Sequence, residues 1–137
     1  MPLPDPLPRD TRPPPLLEQT RYWRSSHLRP PLSWWMPKEG DASPFYRQQR
    51  QLFTSQGYAC VVVDVRGTGA SFGVWRYPWE AVTVLDSFDI LEWISRQPWS
   101  DGQIVGIGNS FSGTTAELLL ATEHPAVKAI VPQFNHP

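Results

Sequence analysis

Two kinds of apolar pattern alternate along the chain. Short, nearly continuous apolar runs such as 58–65 are typical of strands buried on both faces of a sheet. Longer segments such as 78–96 carry an apolar residue at every third or fourth position, which is typical of a helix with one buried face. The predicted elements are, in order, strand 16–23, helix 43–56, strand 58–65, helix 78–96, strand 103–107, helix 112–122 and strand 126–131. Because strands and helices alternate, the pattern predicts an α/β fold, with a parallel sheet and helices on both of its faces.

Proline sets several boundaries of this pattern. Ser43 followed by Pro44 is typical of a helix start, and segment 24–40 is expected to be irregular because prolines interrupt it. Residues 1–15 hold seven prolines. We therefore expect a disordered or extended leader there, in preference to a ligand for a proline-recognising domain. The folded domain is expected to cover residues 16–137.

Composition narrows the functional classes. The formal net charge is -1 and no apolar run approaches the ~20 residues of a membrane-spanning helix, so neither nucleic acid nor a membrane is expected as a partner. Cys60 is the only cysteine, which excludes an internal disulfide and predicts a buried, inert thiol. The single cysteine also rules out a cysteine-rich metal site, and no metal is expected. The glycine pairs at 67/69 and 106/108 lack the other residues of a nucleotide-binding loop, so no cofactor is expected. No apolar export segment follows Met1, which predicts a cytoplasmic protein.

Segment 106–113 carries the candidate chemistry. A short apolar strand enters a turn of small residues with Ser110 in it, and a helix is predicted to follow at once. Gly108 and Gly113 leave room for a sharp turn that lifts the serine hydroxyl to the carboxyl end of the sheet, as in the nucleophile elbow of serine hydrolases. The N–H of Phe111 and the helix N-terminus would then face a developing oxyanion. A glycine-rich strand-to-helix turn with an incidental serine is the alternative.

Several motifs together resemble a known family. They are V-D-V-R-G-T-G-A-S-F-G at 63–73, D-I-L-E-W-I followed by Q-P-W-S-D-G within 89–102, and G-N-S-F-S-G at 108–113. In order and spacing they resemble the cocaine esterase and X-Pro dipeptidyl-peptidase family of α/β-hydrolases, whose elbow is usually G-x-S-Y-x-G. Ser112 fits that pattern better than it fits the general G-x-S-x-G. The resemblance covers roughly residues 16–137 and implies an α/β-hydrolase core.

The resemblance also implies a reaction, namely acyl transfer through a covalent acyl-serine with a Ser-Asp-His triad. Ser110 falls on the position of the nucleophile. The resemblance implies an oxyanion hole formed by a tyrosine hydroxyl at the end of an early strand and by the N–H of the residue after the serine. In this chain those positions hold Tyr22 and Phe111. The substrate is expected to be a small-molecule ester or a peptide, and X-Pro peptides, β-lactam acyl groups and simple esters all remain open.

The acid and the base of the triad are not expected in this chain. In these hydrolases an acid and then a histidine follow the serine well downstream. After Ser110 the chain has Glu123, His124 and His136 but no aspartate, and His124 is expected to be a surface or capping residue. His27 lies upstream, in an irregular segment. The chain is therefore interpreted as a truncated α/β-hydrolase core: a serine hydrolase of esters or amides or, alternatively, a catalytically inactive remnant or interaction module.

Other charged and aromatic residues are assigned to structure. Asp64 and Arg66 follow a strand, where an ion pair or hydrogen bonds that fix the next loop explain them. Asp86, Asp89 and Glu92 are expected on the solvated face or at the end of their helix. The tryptophans are dispersed and lack basic neighbours in the pattern of a nucleic-acid surface, so packing is their expected role.

Overall fold

The structure, a computed structural model, describes residues 11–22, 26–27, 30–31, 34, 39–40 and 44–134. Its strands are β1 (Pro15–Thr20), β2 (Ser26–His27), β3 (Glu39–Gly40), β4 (Ala59–Asp64), β5 (Ile104–Asn109) and β6 (Val127–Gln133). Its helices are α1 (Pro44–Ser55), α2 (Ala81–Ser95) and α3 (Phe111–Leu118), which continues as a 3-10 turn over Leu119–Thr122. The predicted helix cap at Ser43 and most of the predicted leader lie outside the described residues.

Four strands form one parallel sheet in the order β4-β1-β5-β6. The first strand of the chain lies inside this sheet, since Leu16 pairs with Cys60 of β4 on one side and with Val105 of β5 on the other. Parallel pairing requires a crossover between consecutive strands, and α1, α2 and α3 supply these crossovers. The α/β fold with a parallel sheet that was predicted from the sequence is thereby confirmed.

The helices cover both faces of the sheet. On one face, Leu17 of β1 belongs to a buried apolar cluster that contains Leu91 and Ile94 of α2 and Leu119 after α3. Side chains of successive residues in a strand point to opposite faces. Leu16 accordingly lies on the other face, in an apolar groove beside Phe53 of α1.

The observed boundaries differ from the predicted ones for identifiable reasons. Strand β1 begins at Pro15, because a proline carbonyl can still accept in a parallel ladder. Pro14 O accepts from Ala59 N at 3.1 Å and Pro13 O accepts from Asp101 N at 3.4 Å. Helix α2 begins at Ala81 rather than 78, because Trp79 has a φ of 58°, outside the helical region.

Segment 24–40 differs from the sequence prediction in one respect. It was expected to be irregular, but β2 and β3 pair antiparallel within it, with Ser26 opposite Gly40 and His27 opposite Glu39. Each of these strands is two residues long. A two-residue strand is too short to produce a periodic pattern of apolar residues, so the sequence gives no signal for it.

Candidate active site

Ser110 occupies the single residue between the end of β5 and the start of α3. Its backbone has φ 56° and ψ -118°, a conformation that residues other than glycine rarely adopt. Two hydrogen bonds hold it there: Ser110 N donates to Gln133 O of β6 at 2.8 Å, and Ser110 O accepts from Thr114 N at 3.1 Å. The turn is therefore fixed both by the neighbouring strand and by the first turn of the helix.

Two glycines let α3 pack directly on β5. A Cβ on Gly108 would lie 2.1 Å from Ser112 O, and a Cβ on Gly106 would lie 2.5 Å from Cδ1 of Leu119. Neither glycine has a positive φ, so what each position requires is space rather than backbone freedom. The helix that follows Ser110 therefore runs back against the strand that precedes it.

The end of β1 lies beside the same helix. The Thr115 hydroxyl of α3 donates to Gln19 O at 2.8 Å, and Tyr22 N donates to the Thr20 hydroxyl at 3.0 Å. The ring of Tyr22 then meets the ring of Phe111 edge-on, with 6.3 Å between centroids. The three residues singled out from the sequence, Ser110, Tyr22 and Phe111, are thus brought together at the carboxyl end of the sheet.

Phe111 is also the centre of a larger group of rings, formed by Tyr22, Trp75, Trp79 and Phe111 and called the aromatic cluster below. The Trp79 ring stacks on Phe111 at 5.6 Å and the Trp75 ring meets it edge-on at 6.4 Å. The guanidinium carbon of Arg21 lies 5.2 Å from the ring centroids of both Tyr22 and Phe111, and 5.6 Å from that of Trp75. Sequence reasoning missed this cluster, because its tryptophans come from a loop far from both Tyr22 and Phe111 in the chain.

The loop after β4 carries those tryptophans, and Asp64 fixes its start. Asp64 Oδ2 accepts from Ala70 N at 3.3 Å, and Asp64 O accepts from the Ser71 hydroxyl at 2.6 Å. Arg66 pairs with Asp86 of α2, with 2.8 Å between Arg66 Nε and Asp86 Oδ2. Loop-fixing hydrogen bonds are thus the role of Asp64, whereas Asp86 is half-buried and paired instead of solvated.

His124 has a structural role at the amino end of the sheet, opposite to the carboxyl end where Ser110 lies, because it precedes the start of β6. It is buried, at 5% exposure, so of the surface or capping role expected for it, the surface position was wrong. Its Nδ1 accepts from Ala126 N at 3.1 Å, which leaves Nε2 to donate to Glu92 Oε1 at 3.0 Å. Glu92 therefore anchors His124 to α2 and also pairs with Arg96. The side chains of the other two histidines lie outside the described residues.

A second buried ionisable group lies beneath the turn. The Glu18 carboxyl of β1 is 7% exposed, and burial raises its pKa, although the nearby Arg50 guanidinium and the Ser112 hydroxyl oppose that rise. Cys60 was predicted to be buried but is half-buried. Partial burial raises the pKa of its thiol, which agrees with the inert role expected for it. Glu18 gave no sequence signal beyond a polar residue in an apolar strand.

Two cavities are lined by residues that the structure describes. One, of about 580 Å³, opens between the loop after β4 and α2 and is lined by Asp64, Arg66, Thr83, Asp86 and Asp89, among others. The other, of about 260 Å³, is the apolar groove beside α1.

Within the residues described, no group of three or more His, Cys, Asp or Glu side chains is placed to hold a metal ion. None of the described helices combines the length and the apolar character needed to cross a membrane.

Known proteins resemble this chain in sequence over most of its length. A protein of Mycobacterium bovis named as a serine esterase is 45% identical over 136 residues, which are 97% of this chain and 21% of that protein. The cocaine esterase of a Rhodococcus species is 35% identical over 82 residues, covering 60% of this chain and 14% of the esterase. The chain therefore spans about a fifth of the length of the first of these relatives.

Solved structures agree on the fold. A CocE/NonD family hydrolase from Staphylococcus aureus superposes with a TM-score of 0.70 at 23% identity, covering 93% of this chain and 23% of that one. The family model of the X-Pro dipeptidyl-peptidases, S15 family, matches residues 2–136. With the sheet order, the turn at Ser110 and these similarities in agreement, the chain belongs to the X-Pro dipeptidyl-peptidase S15 family.

Proposed function

We propose that this chain provides the nucleophile and the oxyanion hole of a serine hydrolase that acts on esters or amides. The observation that carries the proposal is the backbone of Ser110, held at φ 56° between a parallel strand and a helix. A serine in this strained turn presents its hydroxyl at the carboxyl end of the sheet. The serine esterase and cocaine esterase among the relatives support the same class of reaction.

The oxyanion donors are Phe111 and Tyr22. Phe111 is the first residue of α3, so its N–H has no acceptor within the helix and is available to a ligand. The Tyr22 ring is set against Phe111, which brings the phenol to the same end of the sheet. One backbone N–H and one phenolic O–H are the donor types that stabilise a tetrahedral oxyanion.

The proposed reaction has two steps. Ser110 Oγ bonds to the acyl carbon while the carbonyl electron pair moves to oxygen, and the hydroxyl proton passes to a base. When the carbonyl re-forms, the bond to the leaving alcohol or amine breaks, and that group departs with the proton. Water then attacks the acyl-serine in the same way, which releases the acid and restores the Ser110 hydroxyl.

The base and the acid are proposed to lie outside the described residues. His124, the one histidine whose side chain is described, forms hydrogen bonds with Ala126 and Glu92 at the amino end of the sheet. This observation also favours a second candidate function. In that case the chain keeps the fold and the turn without turnover, as an inactive remnant or an interaction module.

Labelling of Ser110 by a fluorophosphonate tests the proposal, because that reagent needs a nucleophile and an oxyanion hole. We expect slow, stoichiometric labelling located by mass spectrometry at Ser110, and no measurable turnover of p-nitrophenyl esters by the chain alone. Without a base, the loss in rate is on the order of a millionfold. Ser110→Ala should abolish labelling, whereas Ser112→Ala, two residues along the same motif, should retain it.

Two results would contradict these expectations in different ways. Labelling that is indifferent to Ser110→Ala would exclude the proposed nucleophile and favour the non-catalytic candidate. Rapid ester turnover that Ser110→Ala abolishes would show that the chain contains its own base.

A further inference from the structure

Arg21 presents a charged group at the proposed active site and is not used by the proposed reaction. It immediately precedes Tyr22, and its guanidinium carbon lies 5.2 Å from the ring centroids of Tyr22 and Phe111. A guanidinium over aromatic faces is attracted by their π-electrons and keeps its edges free for hydrogen bonds. The cluster therefore holds the cation in place without using its N–H donors.

Those donors have no anionic partner in the part of the chain that the structure describes. Three other cations among the described residues are differently engaged: Arg66 pairs with Asp86, Arg96 pairs with Glu92, and Lys128 donates to Pro125 O at 2.9 Å. Arg21 is half-buried, so a carboxylate bound to it would be partly shielded from water. Charge-assisted, bidentate hydrogen bonds are the strongest that such a group forms.

The surroundings of Arg21 favour an anion. The eight-residue helix α3 begins at Phe111, whose ring touches the Arg21 guanidinium, and a helix N-terminus carries partial positive charge. The nearest acidic residue in sequence to the cluster is Glu80, after Trp79. The hydrogen bond and the charge of Asp86 raise the pKa of Arg66, and the negative charge of Glu80 adds to that rise, so Glu80 acts on Arg66. The site thus has a positive charge, Arg21, beside aromatic rings that can contact the apolar part of an anionic ligand.

We infer that Arg21 is a specificity-determining residue that binds an anionic group on the substrate, so that the site prefers esters whose acyl part carries a carboxylate. This inference rests on the proposed function, since the acyl group must reach Ser110 for the preference to matter. Monoesters of short dicarboxylic acids have the required chemistry: one reactive ester carbonyl, a few methylenes to lie on the rings, and a terminal carboxylate for the guanidinium.

Binding and reaction can be measured separately on the purified chain. For binding, monomethyl succinate and the neutral dimethyl succinate are titrated while the side-chain Nε–H of Arg21 and the indole N–H groups of Trp75 and Trp79 are followed by NMR. We expect saturable shifts with the monoester alone. Arg21→Gln should weaken the binding by about tenfold or more and Arg21→Lys should restore part of it. Arg96→Gln, which removes an exposed arginine at the C-terminal end of α2, is the matched control and should bind as the parent does.

For reaction, the rate of Ser110 labelling is compared for fluorophosphonates that end in a carboxylate or in its methyl ester. The parent chain should prefer the carboxylate and Arg21→Gln should lose that preference while still reacting with the neutral reagent. Equal binding of the two succinates, or a preference that survives Arg21→Gln, would overturn the inference. If Arg21 binds the monoester but Ser110 is never labelled, the proposed function fails and anion binding by Arg21 stands. If Ser110 is labelled without preference, only the inference about Arg21 fails.

Discussion

Gly108 and Ser112 are in backbone contact, since a Cβ placed on Gly108 would lie 2.1 Å from Ser112 O and 2.3 Å from Ser112 C. This close approach of β5 to the first turn of α3 is what forces the chain to reverse sharply at Ser110. Neither atom belongs to a flexible side chain that could swing away.

Gly108→Ala should therefore move the helix away from the strand. We expect a loss of at least about 3 kcal/mol in the free energy of unfolding, together with loss of Ser110 labelling in the protein that remains folded. Urea unfolding gives the first quantity. Gly102→Ala is the control, because Gly102 has a φ of 80° but nothing within 4 Å of its Cβ. It should cost about 1–2 kcal/mol from backbone strain alone and leave labelling intact. An unchanged stability in Gly108→Ala would contradict the packing described.

Tyr22→Phe removes one hydroxyl and keeps the ring against Phe111. If that hydroxyl donates to the oxyanion, labelling of Ser110 should slow by about 100-fold, while the free energy of unfolding changes by less than about 0.5 kcal/mol. Tyr77→Phe serves as the control, because Tyr77 is 58% exposed and should leave the labelling rate unchanged. Equal labelling by Tyr22→Phe and the parent chain would assign Tyr22 to packing alone.

Glu18→Gln should stabilise the chain in a pH-dependent way. Burial raises the pKa of Glu18 in the folded state, so the proton binds the folded chain more tightly than the unfolded one. Its contribution to stability is therefore present in full below the ordinary pKa of a glutamate and is lost as the pH rises through the raised value. The glutamine stays neutral throughout.

We accordingly expect urea unfolding to give a higher stability for Glu18→Gln than for the parent near pH 7, and a smaller difference near pH 4. Glu123→Gln changes an exposed glutamate to the same residue and provides the comparison at both pH values. If the parent chain instead gains stability relative to Glu18→Gln as the pH rises from 4 to 7, then Arg50 and Ser112 outweigh the effect of burial.

His124→Ala separates a structural role from a catalytic one. The substitution leaves Ala126 N and Glu92 without their partner and removes a ring that packs against Phe88 at 5.0 Å. We expect a loss of about 2–4 kcal/mol in unfolding free energy. The rate of Ser110 labelling in the folded protein should be unchanged. A labelling rate that collapses in folded His124→Ala, and not in Phe88→Leu, would instead make His124 the base.

The order of the three helices and of the four strands of the main sheet, together with the location of Ser110, could be predicted from the sequence, because they depend on local signals. Apolar periodicity identifies buried strands and helix faces, and the small residues around Ser110 identify a sharp turn. The aromatic cluster could not be predicted, since Trp75 and Trp79 meet Phe111 only after the loop folds back over the sheet. The pairing of His124 with Glu92 likewise joins positions far apart in the chain and depends on tertiary packing.

The central position of β1 has a consequence for biosynthesis. During synthesis Leu16 and Leu17 are made before β4 and β5, the strands that pair with them on either side. Until β5 emerges, the middle of the sheet has no complete pairing, and an unpaired apolar strand is a site for association with other chains. Pairing of β1 on both of its sides must therefore await synthesis of β5, although β1 itself is made first.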